Sequence, residues 1–361
     1  MDSLKQRWGK RTQTMKKTDL ERLTELAQAC VTRTPVIVLG SGASLAHGIP
    51  GMGALAAHLR AHPPPTMTSA ESVEWKRFDS LLDADGLEAA LSHAQLTDAQ
   101  TNHIVQSTRT FLLPSDRAVF SALLSDRRLL PLTRLYRHLF TSVHKTIDVV
   151  TPNYDRLAEY ASDAGEFASF NGFGYGYFAG RATDSHTRVF RDGQAVRTVC
   201  VWKVHGSLDW FKGAAGAVIS VPSCDETPSG HSPVMITPGI EKYRRAFHEP
   251  FRTIVGCSDT AMEHARSFLC VGFGFNDEHL QTKLVERCES SSTPIVVVTR
   301  TLTPAAKIFL LSGRCRQFLA VEESPTGTRM YTHDDLGGTE LPGQTLWKLD
   351  SFLDITIGPA T

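Results

Sequence analysis

The sequence has no surplus of either charge, since Lys plus Arg and Asp plus Glu both number 38 in 361 residues. That balance excludes bulk attraction to nucleic acid or to an anionic membrane, so any such contact would be local. No apolar run approaches the length of a membrane span, about 18 residues, and Met1-Asp2-Ser3-Leu4-Lys5 lacks the apolar core of a signal peptide. A cytoplasmic location without membrane attachment is expected. Seven cysteines are present but no C-x-x-C pair, so the chain lacks ribbon-type zinc spacing and the cysteines read as reduced core thiols. There is no G-x-x-x-x-G-K-[ST] either, so an ATPase partner would be a separate polypeptide.

What is present is an ordinary globular composition, 41% hydrophobic and 21% charged, in a chain longer than the usual single domain. Thr34 to Gly53 organises it. Val36-Ile37-Val38-Leu39 is a short β-branched run that reads as a strand buried on both faces. It breaks at Gly40-Ser41-Gly42-Ala43-Ser44, where glycines let the backbone turn sharply and come close to a ligand. Successive N–H groups there would favour a pyrophosphate, although a tight strand-to-helix turn needs glycine even where nothing binds. An ordinary dehydrogenase fits poorly. Leu45 holds the third glycine position of the dinucleotide fingerprint, and no acid-ended strand follows about 20 residues on.

Along the rest of the chain, residues 1–17 form a basic arm, and Thr18-Asp19 with Glu21 marks a helix start. Residues 61–145 carry helical apolar stripes and no clear strand. His58 and His62 stand at i, i+4 without a third ligand and read as surface or packing residues. Thr146 to Thr151 is a second buried strand, running into Pro152-Asn153-Tyr154-Asp155. Residues 164–240 are β-rich with a hairpin at Arg191-Asp192-Gly193-Gln194, and they contain Lys203-Val204-His205-Gly206-Ser207-Leu208-Asp209-Trp210. Further buried strands are expected before Gly272-Phe273-Gly274 and at Pro294 to Arg300, with a last one at Arg316 to Val321. Ser324 to Gly343 reads as polar and turn-rich, and Leu346 to Ile355 as an assembly element.

Four of these segments, in this order, resemble the sirtuins. Gly40, Ser41, Gly42, Ala43 and Ser44 followed by Gly48-Ile49-Pro50 are similar to the family's Gly-Ala-Gly-x-Ser and Gly-Ile-Pro. Thr151, Asn153 and Asp155 match Thr-Gln-Asn-x-Asp, with Pro152 in place of glutamine. His205-Gly206 is similar to the His-Gly of the general base, and Lys-x-His-Gly-Ser-Leu-Asp-Trp is closer still to zinc-less sirtuin-like proteins of bacterial antiphage defence. Gly272 and Phe273 stand where the family's Gly-Thr-Ser contacts the cofactor. Gly51-Met52-Gly53 replaces the Asp-Phe-Arg that often follows Gly-Ile-Pro.

The resemblance implies an α/β fold with a Rossmann-like parallel sheet. The core would occupy 34–60 and 146–323, after an arm and helix at 1–33. An inserted helical subdomain would span 61–145, with a β-rich insertion inside the core and a C-terminal segment at 324–361. It implies Asn153 and His205 as catalytic residues, with Gly40, Ser41, Gly42, Ser44, Pro50, Asp155, Gly272 and Phe273 binding NAD, and no zinc. The expected activity is hydrolysis of NAD to ADP-ribose and nicotinamide, as effector of an antiphage system. The alternatives are a protein deacylase, an ADP-ribosyltransferase, or a non-catalytic NAD or ADP-ribose sensor. A homo-oligomer partnered by a hexameric HerA-like ATPase is expected, with nucleic acid touched only through the basic arm or that partner.

Overall fold

The computed structural model describes residues 18–84, 86–182, 189–237 and 248–359, so the basic arm lies outside them. In chain order the elements begin with α1 (Asp19–Val31), β1 (Val36–Leu39), α2 (Ser41–Leu45), α3 (Met52–Ala61), α4 (Ser69–Ala84), α5 (Gly86–His93), α6 (Asp98–Ser125) and α7 (Pro131–Leu139). Next come β2 (Thr146–Thr151), α8 (Leu157–Ala164), β3 (Ala168–Phe170), β4 (Ala179–Gly180), β5 (Phe190–Arg191), β6 (Gln194–Ala195), β7 (Thr198–Lys203), β8 (Gly206–Gly213), β9 (Val218–Ser220) and β10 (His231–Met235). The chain continues through α9 (Phe251–Glu263), β11 (Phe268–Val271), α10 (Glu278–Ser290), β12 (Ile295–Val298), α11 (Pro304–Leu310), β13 (Phe318–Ser324), β14 (Gly327–Thr332), β15 (Asp335–Pro342) and α12 (Leu349–Ile357).

A nine-stranded sheet in the order β15-β14-β13-β12-β11-β1-β2-β7-β3 forms the centre. From β13 to β3 all neighbours run parallel, while β14 and β15 join antiparallel. Alternate side chains of a strand face opposite ways, and buried apolar residues on both sides give a three-layer α/β arrangement. Ile37 and Leu39 of β1 pack with α1, α6, α7, α8 and α12, whereas Val36 and Val38 pack with α9, α10 and α11. Strand order reverses across the β1–β11 seam, where open α/β sheets bind ligands at the strands' carboxyl ends. A second sheet, β10-β8-β9-β4, flanks that edge.

Thr18 caps α1 as expected, in a capping box with Glu21. Two expected boundaries shift. The helical insertion starts before 61 and ends before 145, because α3 already contributes Leu55 and Leu59 to a separate small core with Trp75, Phe78 and Leu87, while α7 buries Leu132, Leu135 and Leu139 in the main core. The sheet does not stop at 323, because 324–343, expected to be polar and turn-rich, forms the β14–β15 hairpin on its edge. Nor is the Leu346–Ile355 stretch free for assembly: α12 buries Phe352 and Leu353 in the main core. None of the described helices is long and apolar enough to cross a membrane.

Candidate active site

The carboxyl ends of β1, β2, β7 and β11 open on one cavity of about 160 Å³. Gly40, Ser41, Ser44, Pro50, Asn153, Asp155, His205 and Phe273 all line it, together with Leu55, Leu112, Asn276 and Asp277, which sequence reasoning did not assign. Gly42 and Gly272 do not line it. They serve a backbone crossing beneath it: a Cβ on Gly272 would stand 2.2 Å from the Ala43 nitrogen, and one on Gly42 would stand 2.8 Å from the Gly272 Cα.

The expected phosphate cradle lies at that crossing. The Gly40 N–H donates to the Val271 carbonyl, Gly42 to Gly272 and Ala43 to Gly40, each at 3.0 Å. Three of the loop's donors are therefore occupied inside the protein, and the glycines here are chiefly the means of close chain approach.

Asn153 is fixed from two sides, because its Nδ2 donates to the Gly40 carbonyl and to Ser44 Oγ, both at 2.9 Å. Oδ1 is the atom left for a ligand. Ser44 Oγ in turn donates to Asp155 Oδ2 at 2.6 Å, and Asp155 Oδ1 accepts the Leu157 N–H at the start of α8. Burial pushes the Asp155 carboxyl up, opposed by the Lys203 charge and the Ser44 hydroxyl. Lys203 is fully buried in β7; its Nζ donates to the Asp155 carbonyl and lies 3.6 Å from Glu159 Oε1. Burial also lifts Glu159, to about 7, against the pull of Lys203. Behind this wall Arg156 and Asp116 form a buried ion pair at 2.5 Å.

His205 sits in the turn between β7 and β8, its side chain 8% exposed. Its Nε2 lies 3.0 Å from Asp277 Oδ2 but off the direction a hydrogen bond requires. Asp277 caps α10, its Oδ1 accepting the Leu280 N–H at 3.0 Å.

His58 is half-buried and His62 lies at the surface: their rings stack at 4.2 Å, and His58 also stacks on Phe111 at 4.3 Å. Among the described residues no three His, Cys, Asp or Glu side chains are grouped so as to hold a metal ion.

Residues 148–308, which carry Asn153, Asp155, His205 and the Gly272-Phe273 turn, match the family model described as SIR2-like domain. The chain carries a SIR2-like domain. Solved structures similar to it include a Sir2 homologue in complex with NAD, 16% identical over 80% of this chain and 86% of that one, with a TM-score of 0.35. A mutant Sir2 homologue with 2′-O-acetyl ADP-ribose is 14% identical over 81% and 89%, with a TM-score of 0.41. No curated protein matches the chain. The cavity of the SIR2-like domain extends past that matched span, since Gly40, Ser41 and Ser44 come from the β1 loop before it. The signals for the unassigned residues were present but weak: Asp277 stands in the polar run after β11, and Lys203 two residues before His205.

Proposed function

We propose that this protein cleaves NAD by hydrolysis, with Asn153 and His205 as its catalytic residues. The observation that carries this reading is their convergence on one cavity from different strand ends. The charge of the cavity supports it. Among the described residues its acidic side chains are Asp155 and Asp277, with no lysine or arginine, a lining suited to the cationic nicotinamide ring and to an oxocarbenium ion rather than to the diphosphate. At about 160 Å³ the cavity is below the roughly 300–1,000 Å³ of drug-sized ligand sites. It therefore suits the nicotinamide end, with the adenosine half outside.

In this reading the bond from ribose C1′ to nicotinamide N1 breaks with its electron pair leaving on nicotinamide, and positive charge spreads onto the ribose ring oxygen. A water oxygen bonds to C1′ and its proton passes to His205, then to solvent. Asn153 Oδ1, fixed by the two bonds of its amide, accepts from a ribose hydroxyl or from that water. The products are ADP-ribose, nicotinamide and one proton.

The proposed setting is the cytoplasm, as effector of antiphage defence acting with a HerA-like ATPase. Nicotinamide release from NAD, followed chromatographically, is the test. Asn153→Ala and His205→Ala are each expected to lower turnover by about 10²–10⁴-fold, and turnover undiminished in both would remove the site assignment.

A further inference from the structure

We infer that Asp277 is the positioning residue for His205, holding the imidazole in the tautomer that presents a basic nitrogen to the cavity. The inference rests on the reading of His205 as general base, and it concerns a carboxylate that the sequence motifs did not single out.

The two oxygens of Asp277 have separate tasks. Oδ1 accepts the Leu280 N–H at the start of α10, and Oδ2 lies 3.0 Å from His205 Nε2. Asp277 is 6% exposed, and its place is fixed by a strained turn. Phe275 adopts φ 58°, a left-handed conformation uncommon for a bulky residue. Its buried ring is held between Phe273 at 4.9 Å and Phe309 at 5.6 Å. Strain kept in place by packing is a mark of a positioned group.

The other groups near the cavity are engaged elsewhere. Tyr154 donates its hydroxyl to the Ile236 carbonyl at 2.6 Å, Asp155 takes the Ser44 hydroxyl, and Lys203 points to the Asp155 carbonyl. Asp277 is thus the carboxylate within reach of the ring. Nε2 stands within hydrogen-bond reach of Oδ2, and imperfect alignment at such a distance is common between catalytic partners. With Nε2–H directed at Asp277, Nδ1 is the nitrogen free to take a proton, and the carboxylate stabilises the imidazolium that results.

Asp277→Asn tests this without removing the helix cap. An asparagine at the cap must turn its oxygen to the Leu280 N–H, which leaves its NH₂ facing Nε2. The ring then has to accept there and carry its proton on Nδ1. In ¹⁵N spectra of the full-length protein, with His205 assigned by its loss in His205→Ala, the wild type is expected to show the Nε2–H form and Asp277→Asn the Nδ1–H form. Turnover should fall about 10²–10⁴-fold with KM for NAD changed less than about threefold. Asp277→Ser, which keeps a capping oxygen but cannot reach His205, should lose the Nε2–H preference as well.

The same tautomer in wild type and both variants would overturn the inference. A tautomer change with kcat within about twofold of wild type would overturn the positioning role. A wild type inactive on NAD whose tautomer still responds to Asp277→Asn would sink the cleavage reading alone and leave the pairing standing.

Discussion

At the scale of the residue, Glu159 shows how the wall behind the cavity responds to pH. Its folded pKa of about 7 lies above the ordinary glutamate value of 4.5, so between those limits the native state holds a proton that the unfolded chain has released. Stability therefore falls as pH rises through that window, by about 3 kcal/mol if the full shift is expressed, and is level above it. Glu159→Gln removes this dependence, so the variant should gain on the wild type between pH 4.5 and 7, measured by urea unfolding at several pH values. Nothing in Leu157-Ala158-Glu159-Tyr160 signals such a carboxyl, because a glutamate on a helix is usually solvated. Asn153 and His205 were legible for the opposite reason. Each stands just after an apolar strand in a short segment that resembles a known family motif.

At the scale of the element, β1 and β11 are joined by more than their ladder. Their following turns interpenetrate at Gly40, Gly42 and Gly272, where a side chain has no room. Gly272→Ala would set a Cβ against the Ala43 nitrogen in a residue at φ 57°. The expected loss is more than about 3 kcal/mol, read as a lowered denaturation midpoint with unchanged slope. The strands themselves were legible because doubly buried parallel strands form plain β-branched runs. The β14–β15 hairpin was not: β15 reads Asp-Leu-Gly-Gly-Thr-Glu-Leu-Pro and lies mostly exposed or half-buried on the sheet edge, where one-sided contact leaves little hydrophobic pattern. In α12, Phe352 and Leu353 gave an apolar signal whose partners, α1 and α7, lie far off in sequence.

At the scale of the whole molecule, the proposed assembly predicts light-scattering masses at multiples of 39.7 kDa for the protein alone, and a larger species with the HerA-like ATPase. A monomer in both samples would remove that proposal. The separate small core of the helical insertion bears on the site in another way. Leu55 belongs to that core, with Trp75 and Phe78 at 5.1 Å from each other, and it also roofs the cavity. A guest that displaces Leu55 must work against the cohesion of this outlying helical cap. By thermodynamic reciprocity, loosening the cap around Trp75 would alter how tightly the guest is held, although the indole lies outside the cavity lining.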